Sequence, residues 1–220
     1  MPFSPLRMLL FLLALTFLVV IVQFGLVTIA FDKLGLSADS AYLLLMCTLV
    51  GTLLNLPLFS LKSDVEGIPR IPPALARLMF FKLPPVTDRV IVTINVGGAL
   101  VPLAFSLYLF VHSQLSFLQI ASAVAVVSFV VYRISGPIPG FGIAMPTLIA
   151  PLVAVIIATL LDPIQRAPLA YIGGTLGVLI GADLLRLGDV RKLGTPIVSI
   201  GGAGSFDGVY ITGLLAVLLA

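Results

Sequence analysis

Long apolar runs, separated by short polar or basic segments, dominate the hydropathy pattern of the chain. A hydrocarbon core of about 30 Å needs roughly 20 helical residues at a rise of about 1.5 Å each. The runs that approach this length are residues 8–30, 41–60, 91–111, 115–132, 143–161, 169–187 and 201–220. The pattern therefore predicts an all-α, polytopic transmembrane helix bundle of about seven spans, forming one integral membrane domain over residues 1–220.

The Lys and Arg residues test the orientation of such a bundle when they are assigned to alternate sides. Lys33 and Arg166 fall on one side of the predicted spans. The other basic residues fall on the side of the amino terminus: Arg7, Lys62, Arg70, Arg77, Lys82, Arg89, Arg133, Arg186, Arg191 and Lys192. Because cytoplasmic loops are enriched in Lys and Arg, we expect the amino terminus to be cytoplasmic.

Composition narrows the classes of protein further. Of the 220 residues, 60% are hydrophobic and 10% are charged, whereas about a quarter are charged in ordinary soluble domains. Cys47 and His112 are the single residues of their types, which excludes a disulfide framework and a Cys/His metal cluster. We expect the lipid bilayer as partner, and no nucleic acid, metal or cofactor.

Two acidic residues, Asp183 and Asp207, fall inside predicted spans. Counted from residue 169, Asp183 lies about 21 Å along its helix, and counted from residue 220, Asp207 lies about 20 Å along its own. Both carboxyl groups are therefore predicted about 10 Å inside the cytoplasmic boundary. Small residues at intervals of four would let the last two spans pack closely; they are Gly173, Gly177, Gly181, Gly204 and Gly208.

Two carboxylates at one depth favour a shared proton, which is the state that a catalytic diaspartyl pair requires. The hypothesis makes Asp183 and Asp207 catalytic and predicts carboxyl groups within about 8 Å of each other, given close helix packing. The alternative is structural. Asp183 would pair with Arg186 one turn later, and Asp207 would cap a shortened last helix.

Further polar and helix-breaking residues fall near the same predicted side. Asn55, Asn95 and Tyr210 are candidates for a polar pocket. Proline removes an amide donor and glycine adds conformational freedom, so a break in regular helix is predicted at Gly136, Pro137, Pro139, Gly140 and Pro146. Such breaks occur where backbone is buried in protein or lines a polar cavity.

Several of these motifs together resemble a known family. The runs are residues 173–184, with a glycine-rich stretch before Asp183; residues 198–208, which include Asp207; Asn95-Val96-Gly97-Gly98-Ala99; and Gly136-Pro137-Ile138-Pro139-Gly140. They resemble domain-of-unknown-function family 1614, small membrane proteins of bacteria and archaea, over nearly the whole chain. The resemblance implies a prokaryotic multi-pass protein of the cell (inner) membrane and implies no particular activity.

A more distant similarity is to intramembrane aspartyl proteases of the presenilin and signal-peptide-peptidase type. Those enzymes carry one aspartate near the cytoplasmic end of the sixth span and another near the start of the seventh. The resemblance implies that Asp183 and Asp207 are the catalytic pair, acting on a membrane-protein or peptide substrate.

Three functions thus remain open from the sequence. The first is a membrane-embedded aspartyl hydrolase that uses Asp183 and Asp207. The second is an ion- or proton-coupled transporter or channel-like protein, with the break at residues 136–146 beside a cavity that contains a carboxylate. The third is a non-enzymatic membrane assembly subunit held together by its glycine faces.

Overall fold

The computed structural model describes residues 25–64, 89–138, 142–202 and 208–220. Within them the chain forms helices α1 Gly25–Lys33, α2 Ala38–Thr52, α3 Val96–His112, α4 Phe117–Ile134, α5 Ile149–Leu161, α6 Arg166–Leu184 and α7 Gly208–Leu219. Two of them contain π-helical turns, at Val96–Leu100 in α3 and at Leu179–Leu184 in α6. The mostly helical class is therefore confirmed.

The described residues also form two small sheets, so the strictly all-α expectation is wrong. Strands β1 Asn55–Lys62, β2 Arg89–Asn95 and β5 Ile197–Ile200 lie in the order β1-β2-β5. The β1–β2 pair is antiparallel and the β2–β5 pair is parallel. Strands β3 Gly136–Ile138 and β4 Gly142–Ala144 form an antiparallel pair. We call the end of the helix bundle that carries these strands the sheet end.

Local chemistry explains where several helices begin. At α4, Ser116 and Gln119 form a reciprocal capping box, in which each side chain bonds the other residue's backbone amide. Pro151 and Pro168 lie in the first turns of α5 and α6. Proline is tolerated there because its missing amide hydrogen would have no partner within the helix.

Helix α6 is the centre of the bundle. In its most apolar stretch of 18 residues, 67% of the residues are buried, against 28% in α4. Its Gly173, Gly177 and Gly181 face α4. A Cβ atom on Gly177 would lie 2.5 Å from Val127, and one on Gly173 would lie 3.1 Å from Ala123. These glycines therefore let α6 approach α4, whereas the sequence interpretation assigned the stripe to contact with the last span.

A different set of residues brings α6 against α7. A Cβ atom on Gly174 would lie 3.1 Å from Thr212, and one on Gly213 would lie 2.7 Å from Thr175. Gly208, at the start of α7, faces Met145. Gly204 lies outside the described residues.

Membrane-spanning length is met by fewer helices than the sequence pattern predicts. Within the described residues, α4 and α6 are long and apolar enough to cross a bilayer individually, and α1 with α2, bent by 114°, would be a third span. Helices α3, α5 and α7 are apolar but shorter. Residues 8–24 of the first predicted span lie outside the described part.

Three predicted spans contain strand as well as helix, which corrects their boundaries. The span 143–161 begins in β4, and its helix starts only at Ile149. In the predicted span 41–60 the helix ends at Thr52 and β1 follows, and in the span 91–111 the strand β2 precedes α3. Apolar character alone does not separate a strand from a helix.

Candidate functional site

The predicted pocket residue Asn95 is the last residue of β2 and caps the start of α3. Its side chain is fully buried. The Gly98 amide donates to Asn95 Oδ1 at 2.7 Å, and Asn95 Nδ2 donates to Thr52 O at 2.8 Å and to Asn55 Oδ1 at 3.1 Å. One side chain therefore joins the end of α2, the start of α3 and strand β1.

The structure brings the predicted pair Asn55 and Asn95 together because they are partners in the β1–β2 register. Ser199 on β5 adds a third strand, since its hydroxyl donates to Asn55 Oδ1 at 2.7 Å. Sequence reasoning missed Ser199. The sequence feature that could have indicated Ser199 is its position as the polar residue in the short apolar run before the glycine-rich segment.

Asp183 lies in the π-helical end of α6 and is half-buried. Its Oδ2 accepts a hydrogen bond from the Gly201 amide at 2.8 Å. Gly201 has a φ of +77° and packs directly on Gly98. Asp183 therefore fastens the turn after β5 to the central helix.

Asp207 lies outside the described residues. The predicted Asp183–Asp207 separation, on which the diaspartyl hypothesis depends, therefore stays a prediction.

Arg186, the alternative partner of Asp183, makes its ion pair with Asp189 at 3.1 Å. Its guanidinium also donates to Ser135 Oγ at 3.2 Å and to the carbonyl oxygens of Tyr132 and Ser135, and it lies over the Tyr132 ring. The hydrogen bond from Arg186 holds the pKa of Asp189 below its usual value. Arg186 thus joins the end of α4 to the loop after α6.

Tyr210, the third pocket candidate, lies among different residues from the asparagine pair. It is half-buried on α7 and borders a small gap together with Phe31 and Tyr171. Among the described residues, Tyr210 therefore has different neighbours from the asparagine pair.

The predicted helix break falls around the β3–β4 pair. Gly136 and Pro137 lie in β3, opposite Ala144 and Ile143 of β4, and Pro146 lies between β4 and α5. Pro139 and Gly140 lie outside the described residues.

A cavity of about 530 Å³ lies at the opposite end of the bundle, which we call the cavity end. Lys33, His112 and Arg166 line it, as does Ala220 beyond α7. Because the start of α6 and the end of α7 meet there, these helices are antiparallel. The sequence analysis used Lys33 and Arg166 only as orientation signals, and His112 only to exclude a Cys/His metal cluster.

Helices packed round a central apolar helix, with a polar network at one end, define a mostly helical protein, in which the described residues contain two or three candidate membrane spans. The family model described as "Protein of unknown function (DUF1614)" matches residues 49–219, more than half of the 220 residues. The chain belongs to this family, which confirms the main resemblance found in the sequence.

No curated protein and no solved structure matches the chain. The distant resemblance to presenilin-type proteases receives no support from these comparisons.

Proposed function

We propose that the chain is a seven-span protein of a prokaryotic cell (inner) membrane with a cytoplasmic amino terminus. The distribution of charge supports this proposal. Of the described Lys and Arg residues, two lie at the cavity end, Lys33 and Arg166. The rest lie at the sheet end: Lys62, Arg89, Arg133, Arg186, Arg191 and Lys192. A cytoplasmic sheet end agrees with the enrichment of Lys and Arg in cytoplasmic loops.

Cysteine labelling tests this orientation. In a Cys47→Ser background, we expect Ile164→Cys, at the exposed cavity end, to react with a membrane-impermeant maleimide on intact cells. Lys192→Cys, exposed at the sheet end, should react only after permeabilisation. The reverse pattern would place the amino terminus outside, and labelling of both sites on intact cells would contradict an odd number of spans between them.

For its activity, we propose a non-enzymatic membrane assembly subunit rather than a hydrolase. The hydrogen bond from the Gly201 amide to Asp183 carries this proposal. The bond supports a structural role for Asp183, in which it joins the central helix to the turn after β5. The satisfied Asn55–Asn95–Ser199 network beside this turn supports the same role, since it joins three strands and two helix ends.

Substitution of Asp183 separates a structural role from a catalytic one. Asp183→Asn keeps a side-chain oxygen that accepts from Gly201, so we expect near wild-type thermal stability in detergent. Asp183→Ala loses the acceptor and should reduce the free energy of unfolding by about 1–2 kcal/mol. For both variants, size-exclusion chromatography after heating measures how much folded protein remains at each temperature.

A cleavage assay in proteoliposomes tests the hydrolase hypothesis with the same variants. A single-span test substrate is expected to stay intact with the wild-type protein. Cleavage by the wild type that disappears in a stable Asp183→Asn variant would overturn the proposal and restore the diaspartyl hydrolase.

A transporter is the second candidate because three chain segments leave α-helical geometry beside one polar network. Helix α2 ends at Thr52, α3 begins with the π-helical Val96–Leu100, and α6 ends with the π-helical Leu179–Leu184. Discontinuous helices beside polar side chains are used for ion sites in transporters. Proton or cation flux that appears in proteoliposomes with the wild type, and is lost in Asp183→Asn, would favour this function over assembly.

A further inference from the structure

The cavity at the cavity end is built from four separate parts of the chain. The ends of α1, α3 and α7 form its walls, together with the first turn of α6. Its volume of about 530 Å³ falls within the range of about 300–1,000 Å³ that is usual for sites that bind small molecules. The fold therefore provides enough room for a ligand larger than an isolated ion.

Basic groups dominate the walls of this cavity. Lys33, Arg166 and His112 line it, and no Asp or Glu is among the described residues that do so. In the orientation proposed above, this end lies outside the cytoplasm, where Lys and Arg are disfavoured, yet both described residues of these types at this end line the same cavity. A bound anion explains why two cations are placed together there.

The three basic side chains differ in how firmly they are held. Lys33 Nζ donates to Leu218 O at 2.9 Å, which fixes it at the end of α7. The His112 ring stacks on Tyr108 with centroids 4.1 Å apart, and its Nδ1 lies 2.9 Å from Tyr108 O. The exposed Arg166 guanidinium has no hydrogen-bond or ion-pair partner within the described part of the chain. It is therefore the group with the most donors to offer a ligand.

Two further features raise the affinity of this space for negative charge. Residues Gln165–Pro168 at the start of α6 line the cavity, so the positive end of the helix dipole lies beside it. The Ser113 hydroxyl oxygen, also on the wall, is buried and has no partner among the described residues. It can donate to an oxyanion.

Asp162 is a nearby acidic side chain that opposes this effect. Its Oδ1 accepts from the amides of Gln165 and Ile164 at 2.9 and 3.1 Å, and its Oδ2 accepts from Gln119 at 3.1 Å. The hydrogen bond from Gln165 is the main reason that its pKa is lowered. Asp162 therefore stays ionised but turns its oxygen atoms to these donors, and it is not among the residues that line the cavity.

We propose that this cavity binds a phosphate group carried by a small molecule or by a lipid. Arg166 would contact the phosphate through its planar set of donors, which matches phosphate oxygens in pairs. Lys33 would supply the further positive charge and Ser113 a further hydrogen bond, and the His112 ring would pack beside them. The remaining volume takes the organic part of the ligand.

Binding to the purified full-length protein tests this proposal. Inorganic phosphate and glycerol 3-phosphate are titrated against protein in detergent by isothermal calorimetry. Nanodiscs of phosphatidylcholine, with and without phosphatidylglycerol, are compared by thermal unfolding. Saturable binding of the soluble phosphates identifies a soluble ligand, whereas stabilisation only by phosphatidylglycerol identifies a lipid headgroup.

Matched variants locate the binding. Arg166→Gln should weaken the observed binding at least about tenfold, the loss of roughly one charge-assisted interaction. Arg133→Gln, an exposed arginine at the sheet end, should bind as the wild type does. Both variants should elute as the wild type does in size-exclusion chromatography, because both side chains are exposed. Absence of binding to every probe, or equal binding by the Arg166→Gln variant, would overturn the proposal.

Discussion

Replacing Gly98 with alanine is expected to destabilise the protein severely. A Cβ atom on Gly98 would overlap the Gly201 carbonyl oxygen and lie 2.9 Å from its carbon. Both obstacles are backbone atoms, so no side chain can rotate away. Overpacking of this kind costs up to about 3 kcal/mol and occasionally more. We expect Gly98→Ala to be recovered mostly as aggregate, with a strongly lowered unfolding temperature for any folded fraction.

Gly188→Ala is the control for this variant, because nothing lies within 4 Å of the position that its Cβ atom would occupy. It should elute and unfold like the wild type. A Gly98→Ala protein as stable as Gly188→Ala would show that α3 and the turn at Gly201 do not pack as closely as the structure has them.

The second large effect is expected for Asn95→Ala. The change leaves the Gly98 amide and the Thr52 carbonyl without their side-chain partner in a fully buried position. Each buried polar group left unsatisfied costs about 1–3 kcal/mol. We expect the free energy of unfolding to fall by about 3 kcal/mol, measured by thermal unfolding in detergent.

Ser199→Ala is the control for Asn95→Ala, because it removes one hydrogen bond of the network, whereas Asn95→Ala removes three. It removes one hydrogen bond to Asn55, whose Oδ1 still accepts from Asn95, so its cost should be about 1 kcal/mol. If Asn95→Ala lowers the free energy of unfolding no more than Ser199→Ala does, water replaces the Asn95 side chain easily and the network is open to solvent.

The sequence predicts the apolar helices well because long runs of apolar residues have few other uses in a chain with 10% charged residues. It predicts the sheet poorly. The run from Val90 to Ile94 is β-branched throughout and apolar except for Thr93, which is typical of a strand. Inside a predicted span it was interpreted as part of a helix, since hydropathy gives the length of an apolar run but not its backbone geometry.

The sequence likewise predicts some residues of the site but not their contacts. Asn55 and Asn95 could be found because buried amide side chains are conspicuous in apolar surroundings. The hydrogen bond from the Gly201 amide to Asp183 could not be predicted from the sequence, because every residue except proline has a backbone amide hydrogen. The cavity could not be found either, because Lys33, His112 and Arg166 come together only through the packing of separate helix ends.

The parallel pairing of β2 with β5 has a consequence for biogenesis. Ile91 pairs with Ile197, more than one hundred residues later in the chain. During synthesis, β1 and β2 can join as a hairpin, but one edge of β2 stays open until α3, α4, α5 and α6 have been made. An open edge offers unpaired amide and carbonyl groups to any neighbouring strand. The nascent protein is therefore exposed to wrong pairing from the synthesis of β2 onward, and the arrival of residues 197–200 ends that period.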